Sequence, residues 1–219
     1  MSDLTRTDVV KLIAVATYPL NLISVNLEGV DLSYLDLTNA VLTNAVLTNA
    51  KLNEAKLEGA DLTNAVLTNA VLTNAELNKA KLEDADLSVA YLSKANLTNA
   101  DLTWANLTNA DLRWANLTNA DLRWANLTNA YLGRANLTNA DLRFAKLEGA
   151  NLSGACLIGA KLMDAKGNSA ELNTAKANEE AALAAYTAKT DVEFKIYRAI
   201  FIIICIIAVI GLYQEIFLK

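Results

Sequence analysis

The sequence predicts an elongated repeat solenoid flanked by helical segments, and three observations lead there. Leucine occupies every fifth position from Leu22 to Leu162 without exception. Alanine stands two residues before each leucine from Ala40 onward, and that series runs on to Ala165. Beyond Ala165 the ladder fades and the composition changes. A period of five fits neither the 3.6-residue turn of a helix nor the two-residue alternation of a flat strand. Each five-residue unit is therefore one structural repeat, and the repeat is read before any local propensity.

Residues 1–19 form the N-terminal element. LTRTDVVKLIAVAT (4–17) reads as a short amphipathic helix. Thr5 and Asp8 are spaced as a capping box, Val9, Leu12, Ile13 and Ala16 make one apolar face, and Pro19 ends the run. Such a helix suits the open end of a solenoid, which needs a cover.

Residues 20–165 carry the repeat. Its unit is A-(D/N/K/V)-L-(T/S/R/E)-(N/W/G/K), with Leu20, Val25, Val30 and Leu35 replacing alanine in the earliest units. This unit resembles the consensus of the pentapeptide-repeat proteins, A-(D/N)-L-x-x. The resemblance implies an all-β solenoid, a right-handed quadrilateral β-helix with four pentapeptides per square coil. It implies that leucine and alanine point inward and that the other three positions face out. About seven coils stacked at the ~4.8 Å spacing of β-strands give a rod ~35 Å long. Burying each leucine contributes ~1.5–3 kcal/mol, which makes the ladder the main source of stability.

Residues 166–195 read as a helical cap or spacer. Gly167 stands where leucine is due, and KANEEAALAAYTAK is rich in helix formers. Residues 196–219 read as a transmembrane anchor. IYRAIFIIICIIAVIGLY (196–213) has a single charge, Arg198. As a helix it spans ~27 Å, close to a ~30 Å hydrocarbon core. Arg198, Phe201, Ile204, Val209 and Tyr213 are the expected anchor residues, with Tyr197 and Tyr213 at the interfaces and Lys195 and Arg198 on the cytoplasmic side. The expectation is a single-pass, tail-anchored protein of the plasma or thylakoid membrane, its repeat domain in the cytoplasm.

Counting by twenties places residues of adjacent coils on one face. Trp104, Trp124 and Phe144 form an aromatic column, and Trp114 lies half a coil away, beside Arg134. Asp101, Asp121 and Asp141 form a second column, with Arg123 and Arg143 two residues along to neutralise it. The expected protein-binding residues are therefore Trp104, Trp114, Trp124, Phe144, Arg123 and Arg143. Val41, Val46, Val66 and Val71 face outward.

Composition narrows the function. With 19 basic and 24 acidic residues and a net charge of −5, the chain is a poor ligand for nucleic acid. Histidine is absent, which removes the commonest general base and metal ligand. Cys156 and Cys205 lie in unlike segments and have no histidine partner, so neither a disulfide framework nor a nucleophile is expected. Asn-Leu-Thr at Asn96, Asn106, Asn116, Asn126 and Asn136 matches a glycosylation sequon only because the repeat generates it. A narrow interior filled by leucine and alanine leaves no substrate pocket. No catalytic residue, cofactor or metal is expected, and the chain is not read as an enzyme.

The expected function is a membrane-anchored scaffold or adaptor whose rod binds protein partners. An accessory subunit of a membrane complex, for example a photosynthetic one, fits the same arrangement. The alternative comes from the resemblance, since some pentapeptide-repeat proteins mimic DNA and bind gyrase. Balanced charge on the rod departs from that pattern.

Overall fold

The computed structural model describes residues 2–16, 19–170 and 172–176. The chain divides into two units, Met1–Lys176 and Ala177–Lys219, and the first contains the whole repeat. Its backbone forms parallel bridges between each residue following the alanine position and its equivalent 20 residues later, from Asn21–Val41 to Lys146–Lys166. Four pentapeptides therefore make one coil. From Leu22 to Leu152 every ladder leucine is buried, as is every ladder alanine from Ala40 to Ala150.

The period of five follows from one turn per unit. In Leu102-Thr103-Trp104-Ala105 the Ala105 N–H donates to the Leu102 carbonyl at 3.0 Å, and Trp104 has φ +63°. A positive φ confined to the third turn residue defines a type II turn. The fifth residue of each unit has positive φ from Ser24 to Asp164 without exception. Asparagine and glycine dominate these corners because they tolerate the left-handed region.

Every backbone donor of a unit is used, as complete accounting of buried polar groups requires. In the unit 100–104, Ala100 N–H closes the preceding turn on Leu97 (3.0 Å), Asp101 N–H reaches back one coil to Ala80 (2.9 Å), and Leu102 and Trp104 N–H reach forward to Asp121 and Arg123 (2.7 and 3.0 Å). Thr103 N–H donates to the Asp101 side-chain Oδ1 at 3.0 Å. That last bond explains the Asp or Asn after alanine. Its side chain captures the one N–H per unit that neither the coils nor the turn satisfies. In the five Asn-Leu-Thr copies the same asparagine oxygen also accepts the threonine hydroxyl, at 2.6–2.7 Å. The sequon spacing thus has a hydrogen-bonding role within the coil. Val41, Val46, Val66 and Val71, expected to face outward, are half-buried between neighbouring coils.

Both ends are covered by imitation of a coil. Helix α1 (Arg6–Val15) starts with the Thr5–Asp8 capping box. Only Val9 of its apolar face is fully buried; Leu4 and Ile13 pack beside the core, and Leu12 is exposed. Asp3 N–H donates to the Asn26 carbonyl and Asp3 Oδ2 accepts from Asn26 N–H, both at 2.7 Å. Arg6 donates to the carbonyls of Asp31 (2.7 Å) and Ser33 (3.0 Å). These are the bonds that a preceding coil makes everywhere else in the stack.

At the other end, Leu172 is fully buried. It enters over Gly167, where an added Cβ would lie 2.9 Å from the Leu172 side chain and 3.0 Å from the Leu147 carbonyl. Ser169 Oγ caps the helical turn at 172–176 by accepting from Leu172 N–H (3.1 Å). Lys176 Nζ donates to the Ala165 carbonyl at 2.5 Å, in place of the next coil's N–H. The helix expected across 166–195 therefore begins as a plug in the last coil, and its remainder lies outside the described residues.

The expected membrane localisation is corrected. Among the described residues no helix is long and apolar enough to cross a membrane. Helix α1, ten residues long, covers ~15 Å, half of a ~30 Å hydrocarbon core. The segment 196–219 on which the expectation rested, with Arg198, Phe201, Ile204, Val209 and Tyr213, lies outside the described residues.

Candidate functional site

The β-helix brings Trp104, Trp124 and Phe144 together as the twenties count requires. Trp104 and Trp124 stack with ring centroids 5.0 Å apart, and Trp124 and Phe144 at 5.4 Å, each pair within 5° of parallel. The spacing is that of the β-strands that carry them, so backbone pitch itself sets ring stacking. All three occupy corners, with φ of +63°, +58° and +63°. Bulky side chains rarely adopt this backbone conformation. Trp104 remains 53% exposed and Phe144 37%.

The acidic column runs beside the rings, Asp101–Asp121–Asp141 being joined by consecutive bridges. Arg123 and Arg143 neutralise it within their own coils. Each guanidinium grips the aspartate two residues earlier through Nε (2.8 Å) and Nη2 (2.6 Å). The same grip joins Arg113 to Asp111, at 2.8 and 2.6 Å. Planar guanidinium and carboxylate match as a two-pronged pair. Hydrogen bonds from Arg113 hold the Asp111 carboxyl below its ordinary value, with partial burial opposing them. Burial raises the Asp141 carboxyl, but the bonds from Arg143 and the charges of Arg143 and Lys161 outweigh it and the net direction is down.

Arg113 and Arg123 also meet a ring. The Arg123 guanidinium carbon lies 5.4 Å from the Trp124 centroid. On the opposite corner Trp114 is flanked by Arg113 and Arg134, each at 5.9 Å. These distances are within cation–π range. Trp114 does not join the main column, as the half-coil offset requires. Arg113 was not among the expected residues, although the repeated Arg-Trp dipeptide at 113–114 and 123–124 was a usable signal.

Among the described residues Cys156 is a free thiol whose sulfur lies 3.4 Å from the Thr138 hydroxyl. Among the same residues, no group of histidine, cysteine, aspartate or glutamate side chains is arranged to hold a metal.

Comparison with known proteins places this architecture. The family model described as pentapeptide repeats matches residues 21–59, 50–88, 90–123 and 125–164. Among solved structures, a pentapeptide repeat protein from the Arabidopsis thaliana thylakoid lumen is 38% identical over 43% of this chain and 66% of its own, with a TM-score of 0.43. Rfr23 from the cyanobacterium Cyanothece is 38% identical over 49% of this chain and 64% of its own, with a TM-score of 0.35. This chain thus spans slightly less than two thirds of either. HetL from the cyanobacterium Nostoc, a pentapeptide repeat protein involved in heterocyst differentiation regulation, is 32% identical over 74% of this chain and 94% of its own, with a TM-score of 0.27. No curated protein matches the chain. With the family model covering the whole leucine ladder, the chain belongs to the pentapeptide-repeat family and is a right-handed quadrilateral β-helix.

Proposed function

We propose that this chain is a protein-binding scaffold, a β-helical rod that offers the composite face at 101–144 to a protein partner. The observation that carries the reading is the placement of Trp104, Trp124 and Phe144 on positive-φ corners while Trp104 stays about half exposed and Phe144 about a third. A non-glycine residue in the left-handed region costs ~1–2 kcal/mol, and asparagine is the commonest residue at these corners. Folding alone favours asparagine there. Exposed aromatic rings beside arginines are the composition of interface hot spots, and the Asp–Arg pairs supply a polar rim. A rod whose coils are tied by backbone bonds loses little freedom on binding.

The DNA-mimic alternative is less well supported. Asp121 and Asp141 each carry their own arginine, so the column does not offer a run of free negative charge.

The test is a full-length chain with Trp104→Asn and Trp124→Asn, compared with the unaltered chain as bait in quantitative cross-linked capture. The reading expects the double variant to keep its β circular dichroism and lose its partners. Undiminished capture refutes it.

A further inference from the structure

The unit 101–104 lacks one component that its equivalents possess. In three places the chain builds the same set: Asp111-Arg113-Trp114, Asp121-Arg123-Trp124 and Asp141-Arg143-Phe144. In each the guanidinium holds the carboxylate two residues earlier. In the two tryptophan sets it also lies over the ring that follows. Unit 101–104 has the aspartate and the tryptophan, but Thr103 stands where the arginine belongs. The Thr103 backbone N–H and hydroxyl both bond Asp101 Oδ1, at 3.0 and 2.6 Å. That leaves Oδ2 with no hydrogen-bond partner among the described residues. Trp104, the most exposed of the three stacked rings, has no cation over its ring among the described residues.

The surrounding charges favour a cation. Glu83 and Asp84 stand one coil before Thr103 and Trp104, and Asp84 N–H bonds the Thr103 carbonyl at 3.0 Å. Lys81 precedes Asp101 in the column, but its ammonium turns away to Asp61 at 3.3 Å. Arg123, in the following coil, attracts Asp101 through its charge but gives its hydrogen bonds to Asp121.

Resting on the scaffold reading of this face, we infer that Asp101 and Trp104 form a half-site for an arginine side chain of the protein partner. The guanidinium would take the carboxylate edge of Asp101 and lie over Trp104, completing the set that Arg113 and Arg123 complete from within.

The probe is acetyl-Gly-Arg-Gly-amide, titrated into the full-length ¹⁵N-labelled chain while the three tryptophan indole N–H resonances are followed, each assigned by its Trp→Phe variant. The expected result is a saturable shift of the Trp104 indole, with a dissociation constant on the order of 1–10 mM for one exposed ion pair with cation–π contact. The indoles of Trp114 and Trp124 stay nearly still. Replacing arginine by uncharged citrulline weakens the effect at least ~10-fold, as loss of a charge-assisted pair requires. Thr103→Arg supplies the guanidinium internally and abolishes the shift. Asp101→Asn, which keeps the oxygen that accepts from Thr103 and so preserves the turn, weakens it. Parallel movement of all three indoles, equal response to citrulline, or an undiminished shift in Thr103→Arg overturns the inference. If the peptide fails while partner capture still depends on Trp104 and Trp124, the half-site is wrong and the scaffold stands. If capture ignores those rings while the Trp104 shift persists, the scaffold is wrong and the cation site stands.

Discussion

Replacing Trp124 by asparagine separates the stapling role of the aromatic column from its surface role. Trp124 stacks on both neighbours, at 5.0 and 5.4 Å, and lies under Arg123 at 5.4 Å. Aromatic pairs contribute ~0.5–1.5 kcal/mol each beyond burial, so two give ~1–3 kcal/mol. The exposed cation–π contact adds ~0.5–1 kcal/mol. Asparagine at the same corner recovers ~1 kcal/mol of left-handed strain. The net expectation for Trp124→Asn is a loss of ~0.5–3 kcal/mol. Trp104 has one stacked neighbour and no cation, so Trp104→Asn loses ~0.5–1.5 kcal/mol and recovers about as much. Equilibrium urea unfolding followed by far-ultraviolet circular dichroism measures both, with unchanged m-values expected because the coil stays folded. If Trp104→Asn costs as much as Trp124→Asn, the rings are not acting in proportion to their stacks and the reasoning fails.

Other parts of the structure give further expectations. Leu112→Ala, in the middle of the ladder and fully buried, lowers stability by ~2.7–5 kcal/mol, since neighbouring coils held by backbone bonds cannot collapse into the cavity; urea unfolding checks it. Arg6→Ala removes two donors to the first coil, and hydrogen exchange is expected to quicken across 22–40 while 100–140 is unchanged. The Asp111 carboxyl is held below its ordinary value of 3.8, so its contribution is present above pH 3.8 and lost as pH falls through the lower folded-state value. Asp111→Asn therefore lowers the melting temperature at pH 6 and removes part of its decline in acid, which calorimetry across that range reads directly.

The sequence made some of this legible and hid the rest for physical reasons. Coil length, inward leucine and alanine, the stacking of Trp104, Trp124 and Phe144, and the pairing of the Asp121 column with arginine all follow from counting by fives and twenties. The reason for Asp or Asn after alanine did not. The side chain that bonds the backbone belongs to the residue before leucine, a contact that no periodicity displays. The sequence indicated a cover at the first coil but not its bonds, because Asp3, Arg6 and Lys176 act as single substitutes for a missing coil and leave no repeat to count. The covering apolar face expected of α1 was half right. Val9 enters the core, but Leu12 points to solvent because one turn of helix suffices to cover a coil this narrow. The half-site at Asp101 and Trp104 was legible only as an omission, Thr103 among arginines, and gained meaning once the arginines were seen gripping carboxylate and ring together.

The central claim is that the aromatic column serves binding more than folding. The measurement that tests it most directly is partner capture by the Trp104→Asn/Trp124→Asn chain, set beside its own unfolding curve. The account predicts that capture falls at least ~10-fold, the loss expected for removing an interface hot spot, while the β-helix still unfolds in one transition. Capture that persists, or a β-helix that no longer forms, contradicts it.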